Sequence, residues 1–86
     1  MLIIGESING TIPKVGQAIV ARDAAFITAL AHRQVEAGAQ MLDVNAGVAG
    51  GKEAEDLPWL VQTVQAAVDL PVMLDCASPE GLQAAL

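Results

Sequence analysis

Two rhythms of apolar and polar positions run along the chain. Leu2-Ile3-Ile4 is a short apolar run closed by Gly5, the pattern of a buried strand. Glu6 to Arg22 has no sustained period and is punctuated by Gly10, Pro13 and Gly16, so it reads as irregular. Asp23 then stands where a helix N-cap belongs. Behind it Ile27, Leu30, Ala31 and Val35 recur at helical spacing, Thr28, His32 and Glu36 take the opposite face, and Gly38 stops the helix. Met41-Leu42-Asp43-Val44-Asn45 predicts a second strand, and Gly47, Gly50 and Gly51 predict a flexible loop over 46–52. Glu53, Glu55 and Asp56 place negative charge where the next helix dipole favours it, and Pro58 suits that helix's first turn. Its buried stripe is Leu57, Leu60, Val61, Val64 and Val68, and Asp69 with Pro71 marks its end. Val72-Met73-Leu74-Asp75 is a third strand, and Ser78-Pro79 opens a third helix that runs to Leu86.

Strand and helix thus alternate three times, which predicts neighbouring parallel strands joined by right-handed crossovers. Successive strands begin at Leu2, Met41 and Val72. Units of roughly 30 to 40 residues are the repeat of a (β/α)8 TIM barrel, which needs about 250 residues. Three strands with two open edges make a poor domain on their own. Residues 1–86 are therefore expected to be the truncated, amino-terminal three units of such a barrel, lying within one domain.

Composition narrows the class further. Hydrophobic residues make up 53% and aromatic residues 2%, so the core is aliphatic, as suits a parallel sheet covered by helices. The formal charge of -6 repels phosphate backbones and argues against nucleic acid as a partner. No apolar run is long enough to span a membrane, and Glu6 follows the start without any basic region, against a secretory signal. A lone Cys76 forms no internal disulfide; the expected compartment is cytoplasmic.

The polar residues fall at the strand ends. Glu6 and Asn9 follow the first strand, Asp43 and Asn45 end the second, and Asp75 ends the third. In parallel α/β folds the carboxyl ends of the strands share one face, and ligands bind there. Any one of these residues could instead cap its own loop by accepting backbone N–H bonds. Together they are hard to explain by capping alone. Carboxylates and amides without lysine or arginine favour a ligand rich in N–H donors, such as the amino-pyrimidinone edge of a pterin, because charge-assisted bonds are the stronger ones. A divalent metal on Glu6, Asp43 and Asp75 is the competing occupant. The compact spacing of a cation loop is missing, and no metal site is expected.

Four runs form an ordered set: Ile3-Ile4-Gly5-Glu6-Ser7-Ile8-Asn9-Gly10, Gln34-Val35-Glu36-Ala37-Gly38-Ala39, Leu42-Asp43-Val44-Asn45-Ala46-Gly47 and Leu70-Pro71-Val72-Met73-Leu74-Asp75. They resemble the pterin-binding domain of methyltetrahydrofolate:corrinoid methyltransferases, the family that includes the folate domain of cobalamin-dependent methionine synthase. The resemblance covers the whole chain. It implies a (β/α)8 barrel that binds methyltetrahydrofolate at its strand ends. Methyl then passes between N5 and the cobalt of a corrinoid carried by a partner protein or domain. It implies that Asp75 hydrogen-bonds the pterin ring, and that Asp43, Asn45, Glu6 and Asn9 belong to the substrate site. Catalytic residues are expected beyond Leu86, and a homodimer is expected at full length. Ser7 departs from the family, which usually carries a basic residue there; that places a contact to the loop or the folate tail in doubt.

Two other classes are weighed against this one. Dihydropteroate synthase shares the barrel and the pterin site, but Asn9-Gly10-Thr11-Ile12-Pro13 and Asn45-Ala46-Gly47-Val48 do not follow its loop patterns. The other is an inactive fragment or non-enzymatic acidic α/β module. Several residues invite over-reading. Cys76 has no base placed by sequence to activate it and reads as a small hydrophobe. His32, four residues from Glu36, reads as a solvated helix residue. The glycines at 47, 50 and 51 do not spell a phosphate loop. Trp59 lies off the main stripe of its helix and faces a neighbouring helix or an interface.

Overall fold

A computed structural model describes residues 2–46 and 53–74. The glycine loop at 47–52, Asp75, Cys76 and the helix expected over 80–86 lie outside those residues. Strands β1 (Ile4–Asn9), β2 (Met41–Asn45) and β3 (Val72–Leu74) form a parallel sheet in the order β1-β2-β3. Helices α1 (Pro13–Ala21), α2 (Ala24–Glu36) and α3 (Glu53–Ala67) lie between them in the chain. From β1 to β3 the expected alternation therefore holds, with one helix added. Among the described residues no helix is long and apolar enough to cross a membrane.

β2 has the bounds its pattern predicts. Leu42 and Val44 are fully buried while Met41, Asp43 and Asn45 are half-buried, the alternation of a strand covered on one face. β3 pairs Val72 with Leu42 and Leu74 with Val44, which puts Met73 beside Asp43 on the other face. The core fills the helix side. Ile8, Leu42 and Val44 from the sheet meet Ile27 and Ala31 of α2 and Leu57, Leu60 and Val64 of α3.

β1 departs from expectation. The strand does not end at Gly5 but runs on to Asn9, and Leu2 and Ile3, read as buried, are 58% and 49% exposed. The reason lies in the pairing. Ile4 and Gly5 stand opposite Met41 and Leu42, whereas Ile8 and Asn9 stand opposite Val44 and Asn45. Glu6 and Ser7 together oppose Asp43, so β1 holds one extra residue, a β-bulge. Gly5 is needed where it lies: a Cβ there would collide with the Gln34 side-chain amide of α2 and come within 2.9 Å of Leu42 Cδ2.

α1 occupies a stretch expected to be irregular. Pro13 sits in its first turn, where the missing N–H leaves nothing unsatisfied, and Gly16 is buried within it rather than breaking it. Val15, Ala18 and Ile19 face the core. α1 ends at Arg22, a non-glycine residue in the left-handed region (φ 56°), a conformation that costs about 1 kcal/mol. The side chain offsets this. Its Nη1 donates to the Ile19 carbonyl at 2.9 Å and meets Asp56 Oδ1 at 2.8 Å, while the guanidinium lies 5.1 Å from the centre of the Trp59 ring. Trp59 thus faces a residue from the α1–α2 joint. Asp23 caps α2 as predicted, accepting the Phe26 N–H at 3.1 Å.

α2 ends in a Schellman motif. Gly38 (φ 100°) donates to Val35 and Ala39 donates to Gln34, both at 3.0 Å. Its buried stripe is Ile27, Ala31 and Gln34; Val35, expected inside, is 39% exposed. His32 is exposed as read, but it also reaches the Ala67 carbonyl at 3.0 Å and so caps the end of α3. Pro58 lies inside α3, not in its first turn, because the helix begins at Glu53. The stripe of Leu57, Leu60, Val61 and Val64 is buried as predicted, and Val68 falls beyond the helix.

Stability measurements on three variants follow from these contacts. Gly5→Ala should lower unfolding free energy by about 1–3 kcal/mol in urea titration, since the neighbours of the new methyl are packed. Arg22→Ala should cost about 1–3 kcal/mol, the partly exposed guanidinium moderating the loss of a partner to buried Asp56. Arg22→Gly should cost less than Arg22→Ala, because glycine relieves the left-handed backbone.

Candidate functional site

The polar residues picked out from the sequence are sorted by the sheet's two faces. Gln34 of α2 and Leu42 close on Gly5 on one face, and Leu42 and Val44 are fully buried. By alternation Met41, Asp43 and Asn45 of β2 share the other face with Met73, which is 40% exposed. Asp43 and Asn45 are both half-buried, and both are held by interactions within the chain. A half-buried carboxylate and an amide two residues apart offer acceptors and one donor group to a flat polar ligand. Ile4 and Met41 are paired at the start of the strands and supply apolar surface.

Asn9 stands opposite Asn45, as convergence at the strand ends requires. Its side-chain oxygen is nevertheless committed locally. Oδ1 accepts from Thr11 N at 2.9 Å and from Thr11 Oγ1 at 2.7 Å, closing the turn that follows β1. The same turn carries Ile12 N–H to the Asn9 carbonyl and Gly10 N–H to the Asn45 carbonyl at 2.6 Å, tying the end of β1 to the end of β2. Glu6 is exposed and lies inside the strand, in the bulge, not after it. With Ser7 and Gln34 it borders a shallow groove of about 320 Å³ along the free edge of β1. The structure therefore brings Asp43, Asn45 and Asn9 together, sets Glu6 in the bulge opposite Asp43, and leaves Asp75 outside the described residues. Among those residues no three His, Cys, Asp or Glu side chains gather as a metal site would.

Gln34 carried no individual role in the sequence reading. A glutamine on an apolar stripe, three residues after Ala31, was the available signal. It is 8% exposed, and its Oε1 accepts the Ser7 N–H at 3.3 Å.

The described residues thus form a parallel α/β unit whose second strand carries a carboxylate and an amide on the face opposite its helices. Comparison with known proteins then fixes the family. The sequence pattern of the pterin binding enzymes matches residues 5–86, and the chain belongs to that family. It is similar to the methylcorrinoid:tetrahydrofolate methyltransferase of Eubacterium limosum, with 49% identity over 84 residues. That match takes in 98% of this chain and 31% of the relative, so the chain spans about a third of that protein's length.

Asn9 offers a direct test of turn against ligand. Asn9→Ala should destabilise the fold by about 1 kcal/mol by removing the acceptor for Thr11, and Asn9→Asp should retain most of that stability. Thermal unfolding of the two variants checks this.

Proposed function

We infer that residues 1–86 form the amino-terminal part of a (β/α)8 barrel that binds a tetrahydrofolate and takes part in methyl transfer between its N5 and a corrinoid. The observation that carries this reading is the 49% identity, over nearly the whole chain, to a methyltransferase named for a methylcorrinoid and tetrahydrofolate. The disposition of Asp43 and Asn45 supports it, since a pterin edge presents N–H groups to such acceptors. The partner is a corrinoid protein, and the acidic chain with a single cysteine is assigned to the cytoplasm.

In this reading Asp43 accepts a ring N–H, and Asn45 both donates and accepts at the rim. Asp75, which follows β3 in sequence, accepts from the pterin through its carboxylate. Ile4, Met41 and Met73 contribute apolar surface to the same face. Holding the ring in one orientation aligns N5 with the methyl, an orientation effect, and polar groups placed near N5 stabilise the charge that changes there. The corrinoid, when bound by its own protein, supplies the cobalt centre that carries methyl. Ser7, standing where the family usually has a basic residue, leaves the folate tail without a cation at that position.

The test is binding by the full-length protein, with its coding sequence read past Leu86. Asp75→Ala should weaken methyltetrahydrofolate binding by about 2–4 kcal/mol in calorimetric titration, as expected for losing a charged hydrogen-bond partner of the ligand. An unchanged affinity removes Asp75 from the site, and no binding by the unsubstituted protein removes the reading.

A further inference from the structure

Gln34 is the polar residue on the otherwise apolar buried stripe of α2, and burying an amide is costly unless it bonds. Its Oε1 takes the N–H of Ser7, one of the two residues that oppose Asp43 in the bulge. Gly5 leaves the room that Gln34 fills, since any Cβ there would strike its amide. A missing Cβ, an extra strand residue and the amide oxygen of Gln34 thus meet at one point, while its buried Nε2 has no hydrogen-bond partner among the described residues.

Their joint effect is on parity. Gly5 and Ile8 are three residues apart, yet they pair with Leu42 and Val44, which share a face. Only an extra residue between them permits this. If the bulge slipped out, Ile8 would turn to the polar face and Asn9 toward the helices. We propose that Gln34 is a positioning residue for the candidate site, holding the extra residue of β1 so that Asn9 meets Asn45 and the apolar side chains stay on the helix face. The ligand in the test rests on the pterin reading above; the register argument does not.

The experiment uses three forms of the full-length protein: unsubstituted, Gln34→Leu, and Gln34→Leu with Ser7 deleted. Gln34→Leu removes the acceptor of the Ser7 N–H, a part-buried contact at an otherwise exposed residue. It should speed hydrogen exchange of the β1 amides and weaken methyltetrahydrofolate binding, each by about tenfold, the worth of one such bond. Deleting Ser7 removes the residue that Gln34 holds and restores the parity of Gly5 and Ile8 without a bulge. The double variant should therefore regain slow exchange in β1 and most of the affinity. A glutamine that only packed the core, or touched the ligand itself, would not be rescued by that deletion. A folded double variant that stays as weak as Gln34→Leu overturns the inference, as does a single variant with unchanged exchange. If the unsubstituted protein binds no methyltetrahydrofolate, the pterin reading fails, and exchange in β1 alone decides the register claim.

Discussion

The pairing of β1 with β2 is the constraint on which the remaining arrangement depends. Side chains on a strand alternate strictly, so a shift of one residue sends every later side chain to the opposite face. In β1 the apolar residue Ile8 and the polar residue Asn9 both lie after the bulge, and each has a definite partner on β2. The buried face would otherwise receive Asn9 and lose Ile8, exchanging an aliphatic side chain in the core for an amide. That penalty, of the order of 1–3 kcal/mol for an unpaired polar group, is what the bulge avoids. The bulge in turn leaves an N–H outside the ladder, and Gln34 meets it from α2. Site and core are thereby one problem with one solution.

A second joint fixes the helices at the same end of the sheet. Arg22 takes a backbone conformation usually left to glycine, and its side chain joins the end of α1 to Asp56 and Trp59 of α3. Asp23 follows at once as the cap of α2, so two helices are turned and started within two residues. α1 and the turn around Thr11 thus form a braced connection after β1, with Gly10 bonded to the last carbonyl of β2. The strand ends that carry the polar residues are held from both sides.

Much of this was legible in the residues. β2 announces itself because its alternation is uninterrupted, and α2 because Asp23 and Gly38 bracket a stripe of helical period. The motifs of the resemblance named the family that the comparison shows. β1 and α1 were not legible for a shared physical reason: each contains residues that usually break structure but here serve it. Gly5 provides space for a neighbour, Pro13 starts a helix, and Gly16 is buried within that helix. The bulge hides the alternation of β1, since a period-two pattern read across an extra residue looks like no pattern. Val35 was misplaced because α2 turns Gln34 inward, and a hydrogen bond across 27 residues leaves no trace in local periodicity.

The site was legible in part, and its parts differ in kind. Asn9 lies opposite Asn45, and its oxygen closes its own turn. A residue can be at the mouth of a site as a brace and not as a ligand. Asp43 differs from it in position, because it lies in mid-strand on the face opposite the buried Leu42 and Val44. A half-buried carboxylate in mid-strand, set among Met41 and Met73, is not what a sheet requires for its own stability. β1 and its turn are thus aligned through Gln34, Asn9 and Gly10, and β2 carries Asp43 and Asn45 on the face opposite the helices.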